Sequence, residues 1–535
     1  MRGLPNEIPV PEELPDLIKP VEKKGRFLNN VLWSGLGVAV NLFAGFILSP
    51  YIIRKLGLEG YGLWALVFSI TGYFNLLDMG FRSAVVRYTA YYRARGEDEQ
   101  INILINTTLA YFSSIAILLV VIIVTLSPSA GNWFTFSPAY AALFPKLLVL
   151  IGFHLALGVA VNVFTGCVEG FQRFDISNGL WVATFVVRHP GCALLVYLGY
   201  GLVEMGMLVL FTQTILCLSY VVACKKIFPP MRLRRRYLKV EMLRRTASFG
   251  IHNFVASLAV QSLDLTPSVM IGRMQSVEQL GYYNLPLRLL QYAAEGVSRI
   301  GLIVAPRAAE LSADGQKDKI AHLAMFANRY CLVLYLPLTI FLLHYGPELL
   351  RVWLKERGAD VALHSGPLLP VLLAGTTLAL AAQFCSSTVL VGMGRHQRYS
   401  WAVAGEAVLS AILMILVLPS QGILGAAFVA SGLMLCVRGL FTPWQVSRVL
   451  DIPLASYLSG IYTRALLAAV PVWLLGLWLR MSVLDGHGAS ELLLAAGIIG
   501  VAYYTLAFFF CLEAEHRDRL VGFGRRLLGF AGGQA

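Results

Sequence analysis

Charge is scarce in this sequence. Of 535 residues, 14% are Asp, Glu, Lys or Arg while 57% are hydrophobic, and the mean hydropathy is +0.68. A soluble globular chain carries about a quarter charged residues, so a water-soluble fold is excluded. A G-x-x-x-x-G-K-[ST] phosphate loop is missing, as is any soluble stretch that could house one, which argues against ATP hydrolysis within the chain. The early outer loop Arg54–Gly60 is too short to hold the paired carboxylates of a metal-dependent glycosyl transfer. C-x-x-C spacing is absent, and the eight cysteines fall in or beside apolar runs, where they serve as packing residues. The first 26 residues lack the apolar core and cleavage site of a signal peptide and read as a disordered cytoplasmic tail. No catalytic residue, cofactor or metal site is expected, and the chain is not expected to be an enzyme.

What the sequence does contain is a series of apolar runs, each near the roughly 20 residues that a helix needs to cross a hydrocarbon core. They fall at about 28–51, 61–79, 103–126, 146–166, 177–199, 201–224, 247–272, 285–305, 325–345, 366–391, 400–418, 422–443, 461–482 and 490–511. The expected fold is all-α, a polytopic membrane protein of about 14 transmembrane helices. The net charge of +13 does not indicate nucleic acid, because Lys and Arg gather in alternate loops. The densest run, Lys225–Arg245, should be cytoplasmic, together with Arg82–Arg95, Arg307–Lys319, Arg395–Arg398 and Arg517–Arg526. An even number of crossings then leaves both termini in the cytoplasm.

The chain also carries an internal repeat, which points to a duplicated architecture. At an offset of 219, Glu59-Gly60-Tyr61-Gly62-Leu63-Trp64-Ala65-Leu66 meets Glu278-Gln279-Leu280-Gly281-Tyr282-Tyr283-Asn284-Leu285, sharing E-x-x-G-x-[WY]-x-L. Ala90, Ala94, Gly96 and Ile101 meet Ala309, Ala313, Gly315 and Ile320 at the same offset. Further on, Gln172-Arg173-Phe174 pairs with Gln397-Arg398-Tyr399. A six-segment repeat has parallel copies related by a pseudo-two-fold along the membrane normal, with a cavity between two lobes. The expected divisions are a tail at 1–26, lobes at 27–224 and 246–446 joined by a basic linker at 225–245, two additional helices at 447–512 and a basic tail at 513–535.

An ionisable side chain at bilayer depth is costly and marks a functional candidate. Segment 7 places Asn253, Ser257, Gln261, Asp264 and Ser268 on one helical face, with Pro267 freeing backbone carbonyls beside them. Asp264 is the leading candidate for a Na⁺ or H⁺ site, with Gln261, Glu295 and the isolated Glu406 as companions. Segment 8 lines up Arg288, Gln291, Glu295 and Arg299, the last two able to pair at i,i+4. Segment 2 carries Thr71, Asn75, Asp78 and Arg82, and segment 1 a milder stripe that includes Asn41. Arg188 sits mid-segment in Arg188-His189-Pro190, where it could pair bidentately with a phosphate group or with a carboxylate such as Asp78. Arg188, Arg288, Arg299, Arg82 and Asn41 are thus the candidates to meet an anionic headgroup. Arg82, Arg307, Arg438 and Arg480 lie close to segment ends, where a snorkelling role competes.

Leu56-Gly57-Leu58-Glu59-Gly60-Tyr61-Gly62-Leu63-Trp64, Leu77-Asp78-Met79-Gly80, Val391-Gly392-Met393-Gly394-Arg395 and Gly422-Ile423-Leu424-Gly425-Ala426-Ala427 give the chain its resemblance to a known family. It resembles the O-antigen-type polysaccharide flippases of the multidrug/oligosaccharidyl-lipid/polysaccharide exporter superfamily. The resemblance implies two six-helix lobes in the inner (plasma) membrane and export of an undecaprenyl-pyrophosphate-linked oligosaccharide by alternating access, for surface polysaccharide such as lipopolysaccharide. It also implies a cation site on segments 7, 11 and 12, the first two of which carry Asp264 and Glu406. Na⁺ or H⁺, membrane lipids and a polysaccharide polymerase or other assembly protein are the expected partners. A multidrug exporter of the same fold, exchanging cations at Asp264, Glu295 and Glu406, is the alternative; a net positive cavity favours the first reading and a net negative one the second.

Overall fold

The structure, a computed structural model, describes residues 50–73 and 81–527 apart from 484 and 487, with side chains throughout except at 247–257, 299, 302, 519, 520 and 523–527. Asn41, Asn75 and Asp78 lie outside the described residues, and the side chains of Asn253, Ser257 and Arg299 are likewise outside the description. Among the described residues there are helices and no strands.

The first lobe runs through α1 (50–73), α2 (Phe81–Arg95), α3 (Asp98–Ala130), α4 (Pro138–Gly170), α5 (Phe174–Tyr197) and α6 (Leu202–Ile227). The second contains α7 (Val240–Met274), α8 (Val277–Ala313), α9 (Lys317–Leu354), the short α10 (Gly358–Ser365) and α11 (Leu368–Gly392). The helical stretch Gln397–Leu450 completes it and is bent at Gly422, whose φ of +57° ends α12 (397–421) and begins α13 (423–450). Two more helices, α14 (Leu454–Ser482) and α15 (Ala489–Phe510), and the amphipathic α16 (Ala514–Leu527) follow.

Nine of these helical stretches are long and apolar enough to cross a bilayer among the described residues. That is five fewer than the hydropathy runs, two of which, at about 28–51 and 61–79, run into residues outside the description. The bent stretch Gln397–Leu450 counts once, and α7 and α8, 35 and 37 residues long, fall outside because their polar stripes dilute the apolar character. Broad apolar surface on α3 (Ile117, Leu118, Val121) and α14 (Leu467, Trp473, Trp478) is exposed, as expected of lipid-facing helices.

The repeat is visible in the backbone. Gly96 and Gly315, 219 apart, close α2 and α8 with φ of +68° and +69°, and each turn repeats the same pair of backbone hydrogen bonds. The later turns match Gln172 (φ +58°) to Gly394 (φ +67°), so the Gln-Arg-aromatic pairing read from the sequence is three residues out of structural register. The drift from an offset of 219 to 222 follows α10, inserted between α9 and α11.

The lobes meet at the end opposite the basic loops. There Gly62 and Gly281 face one another: a Cβ on Gly62 would collide with the Val277 carbonyl oxygen, and one on Gly281 would lie 2.6 Å from the Leu58 carbonyl oxygen. Leu58 and Val277 occupy equivalent places in the two repeat copies, so the contact is two-fold in character. Arg54 Nη2 donates to the Trp353 carbonyl at 2.8 Å, and the Val277 N–H to the Thr135 carbonyl at 3.2 Å, reinforcing the closure.

Two polar devices fasten the remaining pieces. The linker is held along α3: Asn102 Oδ1 accepts from the Arg232 N–H at 2.7 Å and Asn106 Oδ1 from the Arg234 N–H at 2.8 Å. The amide nitrogens of Asn102 and Asn106 donate back to the carbonyls of Pro230 and Arg232. The C-terminal pair docks on α9, where Asn328 Nδ2 donates to Ser386 Oγ and the Tyr457 hydroxyl at 2.8 and 3.1 Å. Buried Arg329 reaches the carbonyls of Gly460 and Cys511 at 3.0 and 3.2 Å.

Candidate functional site

Within the second lobe a cavity of about 640 Å³ is bounded by α7, α8, α11 and α13, with Ser69 of α1 at its edge. Helical periodicity brings Gln261, Asp264 and Ser268 from α7 to its wall, and Arg288, Gln291 and Glu295 from α8 opposite them. The Arg288 guanidinium donates to Gln291 Oε1 at 3.2 Å, one turn along the same helix. The other two walls are unusual in backbone. Thr376–Ala381 of α11 and Leu435–Phe441 of α13 are both π-helical, one residue per turn wider than an α-helix, and the two wide turns pack against each other.

Arg438 lies in the second wide turn and lines the cavity. Its Nε is 3.7 Å from Glu406 Oε2 of α12, and the Glu406 side chain is 1% exposed. Neither atom has a hydrogen-bond partner, so the pair is held by charge across a gap rather than by a formed bond. Asp264 is within electrostatic reach of both Arg438 and Arg288, and Glu406 within reach of Asp264. Asp264 and Glu406, remote in sequence, are thus brought into the field of the same guanidinium.

The other candidates sit elsewhere. Arg188 stays inside the first lobe, its Nε donating to Thr212 Oγ1 at 3.0 Å and Nη2 to Gln213 Oε1 at 3.2 Å on α6. Arg82 pairs with Glu169 of α4 at 2.6 Å, a carboxylate that also accepts from Ser177 Oγ at 3.0 Å. Asn41 and the Arg299 side chain lie outside the description. Of the nine candidates, Gln261, Asp264, Arg288 and Glu295 line one cavity, and Glu406 stands behind it.

Arg438 is the residue that sequence reasoning underweighted. Pro443 reads as the end of an apolar segment, which makes Arg438 a boundary residue. The wide turn just before that proline lets the helix continue to Leu450, and Arg438 becomes a mid-helix cation. The polar Thr442, Gln445 and Ser447, all buried, are the signal that the helix goes on inside protein.

Two lobes related by a repeat, closed against each other at one end, and a charged cavity walled by long helices define a membrane transporter. Residues 27–312, more than half of the chain, match the family described as polysaccharide biosynthesis protein, and the chain belongs to that family. It is similar to the uncharacterized membrane protein EpsK of Bacillus subtilis (strain 168), 23% identical over 92% of this chain and 96% of the relative. It is also similar to a Shigella flexneri protein provisionally named an O-antigen transporter, 20% identical over 82% of this chain and 98% of that one. Its fold is that of the lipid II flippase MurJ in an inward closed conformation, with a TM-score of 0.68 at 12% identity over 90% of this chain and 99% of that structure.

Proposed function

We propose that this protein moves a lipid-linked oligosaccharide, carried on an undecaprenyl pyrophosphate, from the cytoplasmic to the outer leaflet of the inner membrane for surface polysaccharide assembly. Membership of the polysaccharide biosynthesis family carries this reading, and the Shigella flexneri relative's name agrees with it. Arg288 lining the cavity supplies a guanidinium for a phosphate oxygen. The lining charges alone do not discriminate between cargoes, because Arg288 and Arg438 face Asp264 and Glu295 in equal number. A cation exporter would draw on free carboxylates, whereas Glu406 has Arg438 3.7 Å away and Asp264 lies in the field of Arg438 and Arg288.

Transport runs by alternating access, the Gly62–Gly281 crossing parting as the opposite end closes. Asp264, Glu406 and Arg438 form the coupling element. Arg438 stands where a free cation would otherwise neutralise the two carboxylates, which favours a proton or the membrane potential over Na⁺ as the driving term. Proteoliposomes test the whole reading with a fluorescent lipid-linked oligosaccharide and a cationic dye under separate Na⁺, H⁺ and voltage gradients. Movement of the lipid, lost in Arg288→Ala and indifferent to Na⁺, is expected; movement of the dye alone would sink the proposal.

A further inference from the structure

At the basic-loop end of the second lobe, away from the central cavity, a hollow of about 840 Å³ lies among the ends of α8, α11 and α13 and the starts of α9 and α12. Four cations from three places in the chain converge on it, Lys317, Arg395 with Arg398, and Arg448, against the single carboxylate of Asp451. The positive-inside rule accounts for basic loops, but it does not require them to share a hollow. Lys317 Nζ is engaged by Asp451 Oδ2 at 2.6 Å. Arg448 rests over the Trp444 ring, 5.9 Å from its centroid. Arg395 and Arg398 have no carboxylate within ion-pair distance among the described residues, so a net positive hollow faces outward.

The floor of the hollow has directional chemistry as well as charge. Gln445, 3% exposed, donates its amide to the Arg395 carbonyl at 3.0 Å and fixes the turn that presents Arg395. Its Oε1 is buried and unpaired, an acceptor that needs a hydroxyl or ammonium donor. Trp444, which lines the hollow, is 38% exposed; one turn before it on α13 Leu440 is 63% exposed, and about one turn after Arg398 on α12 Trp401 is 73% exposed. Tryptophans in such positions mark the headgroup level of a bilayer, so the hollow opens where lipid headgroups lie.

We propose that this hollow binds the headgroup of an anionic membrane phospholipid. The unpaired arginines take the phosphodiester, Gln445 Oε1 accepts from a headgroup hydroxyl of the glycerol type, and the acyl chains run along the Trp444–Leu440 flank. The proposal does not depend on what the transporter carries.

Native mass spectrometry of the purified full chain tests it, titrating dioleoylphosphatidylglycerol, dioleoylphosphatidylcholine and soluble glycerol phosphate. The intact protein should retain phosphatidylglycerol well below the concentration at which phosphatidylcholine is retained. Arg395→Gln/Arg398→Gln/Arg448→Gln should weaken that retention on the order of a hundredfold. The matched triple Arg234→Gln/Arg235→Gln/Arg236→Gln, in the exposed part of the linker, makes the same change in charge and should leave it intact. Gln445→Glu, which sets a carboxylate in the floor and removes the amide that holds the Arg395 turn, should weaken it as well. Equal retention of both lipids overturns the proposal, as does unchanged phosphatidylglycerol binding in the first triple variant. Binding of soluble glycerol phosphate as tightly as of the lipid would make the hollow an anion site and overturn the membrane assignment.

Discussion

Removing the Arg438 guanidinium would leave Glu406 buried with no countercharge, so the two residues are energetically one unit. Breaking a buried ion pair by deleting one partner costs about 3–5 kcal/mol, whereas replacing both partners by uncharged groups can be nearly neutral. Arg438→Met should therefore lower the thermal unfolding midpoint of the purified protein sharply, and Arg438→Met/Glu406→Gln should recover most of the loss. Additive losses in that cycle would show that the 3.7 Å pair is not an interacting one. In Arg438→Met alone, the uncompensated negative charge should also create stabilisation by added Na⁺ that the parent protein lacks. Gln261, Asp264, Arg288 and Glu295 were legible, because helical spacing puts them on common faces and their cost in lipid demands a cavity. Arg438 was not, since a proline five residues later looks like a helix end unless a wide turn absorbs it. Arg188 was legible as a buried cation, but its Thr212 and Gln213 partners on α6 leave no trace in its own segment.

At the scale of helices, the crossing of the two repeat copies rests on glycines that share one motif. Any Cβ at Gly62 meets the Val277 carbonyl, a backbone group that cannot swing away. Gly62→Ala should force the lobes apart at that end and raise the labelling of a cysteine placed at Ser276 by a membrane-impermeant thiol reagent. Unchanged labelling against the background of the eight native cysteines would mean the crossing is not the closure. The E-x-x-G pattern announced the repeat in the sequence, but not that its glycines touch each other, because contact across lobes is a property of the pair. A shared Gln-Arg-aromatic triplet puts the later turns three residues out of register, because the positive φ that closes each helix, and not the triplet, marks the equivalent position. The docking of α14 and α15 makes a separate prediction. Arg329→Ala strips donors from the Gly460 and Cys511 carbonyls, so those two helices should become sensitive to protease while the linker stays protected.

For the molecule as a whole, charge distribution sets an orientation that can be checked directly. Arg235→Cys in the linker and Asp518→Cys in α16 should be labelled only after the cell membrane is permeabilised, and Glu356→Cys, at the opposite end, in intact cells. Labelling of Arg235→Cys in intact cells would reverse the assigned topology. The two-lobed plan was accessible from the spacing of apolar runs and the offset of 219, both consequences of the bilayer as solvent. The count of crossings is harder to read, because two of the helices that line the cavity, α7 and α8, carry polar stripes that lower their apolar character.

The linker clamped by Asn102 and Asn106 is bound to α3 almost to the first turn of α7, where Met242 joins the core of the first lobe and Arg245 bonds Tyr92. The far half of the same helix carries Asp264 into the cavity of the second. α7 is therefore seated in both halves of the molecule, so that the halves cannot swing without turning or flexing it.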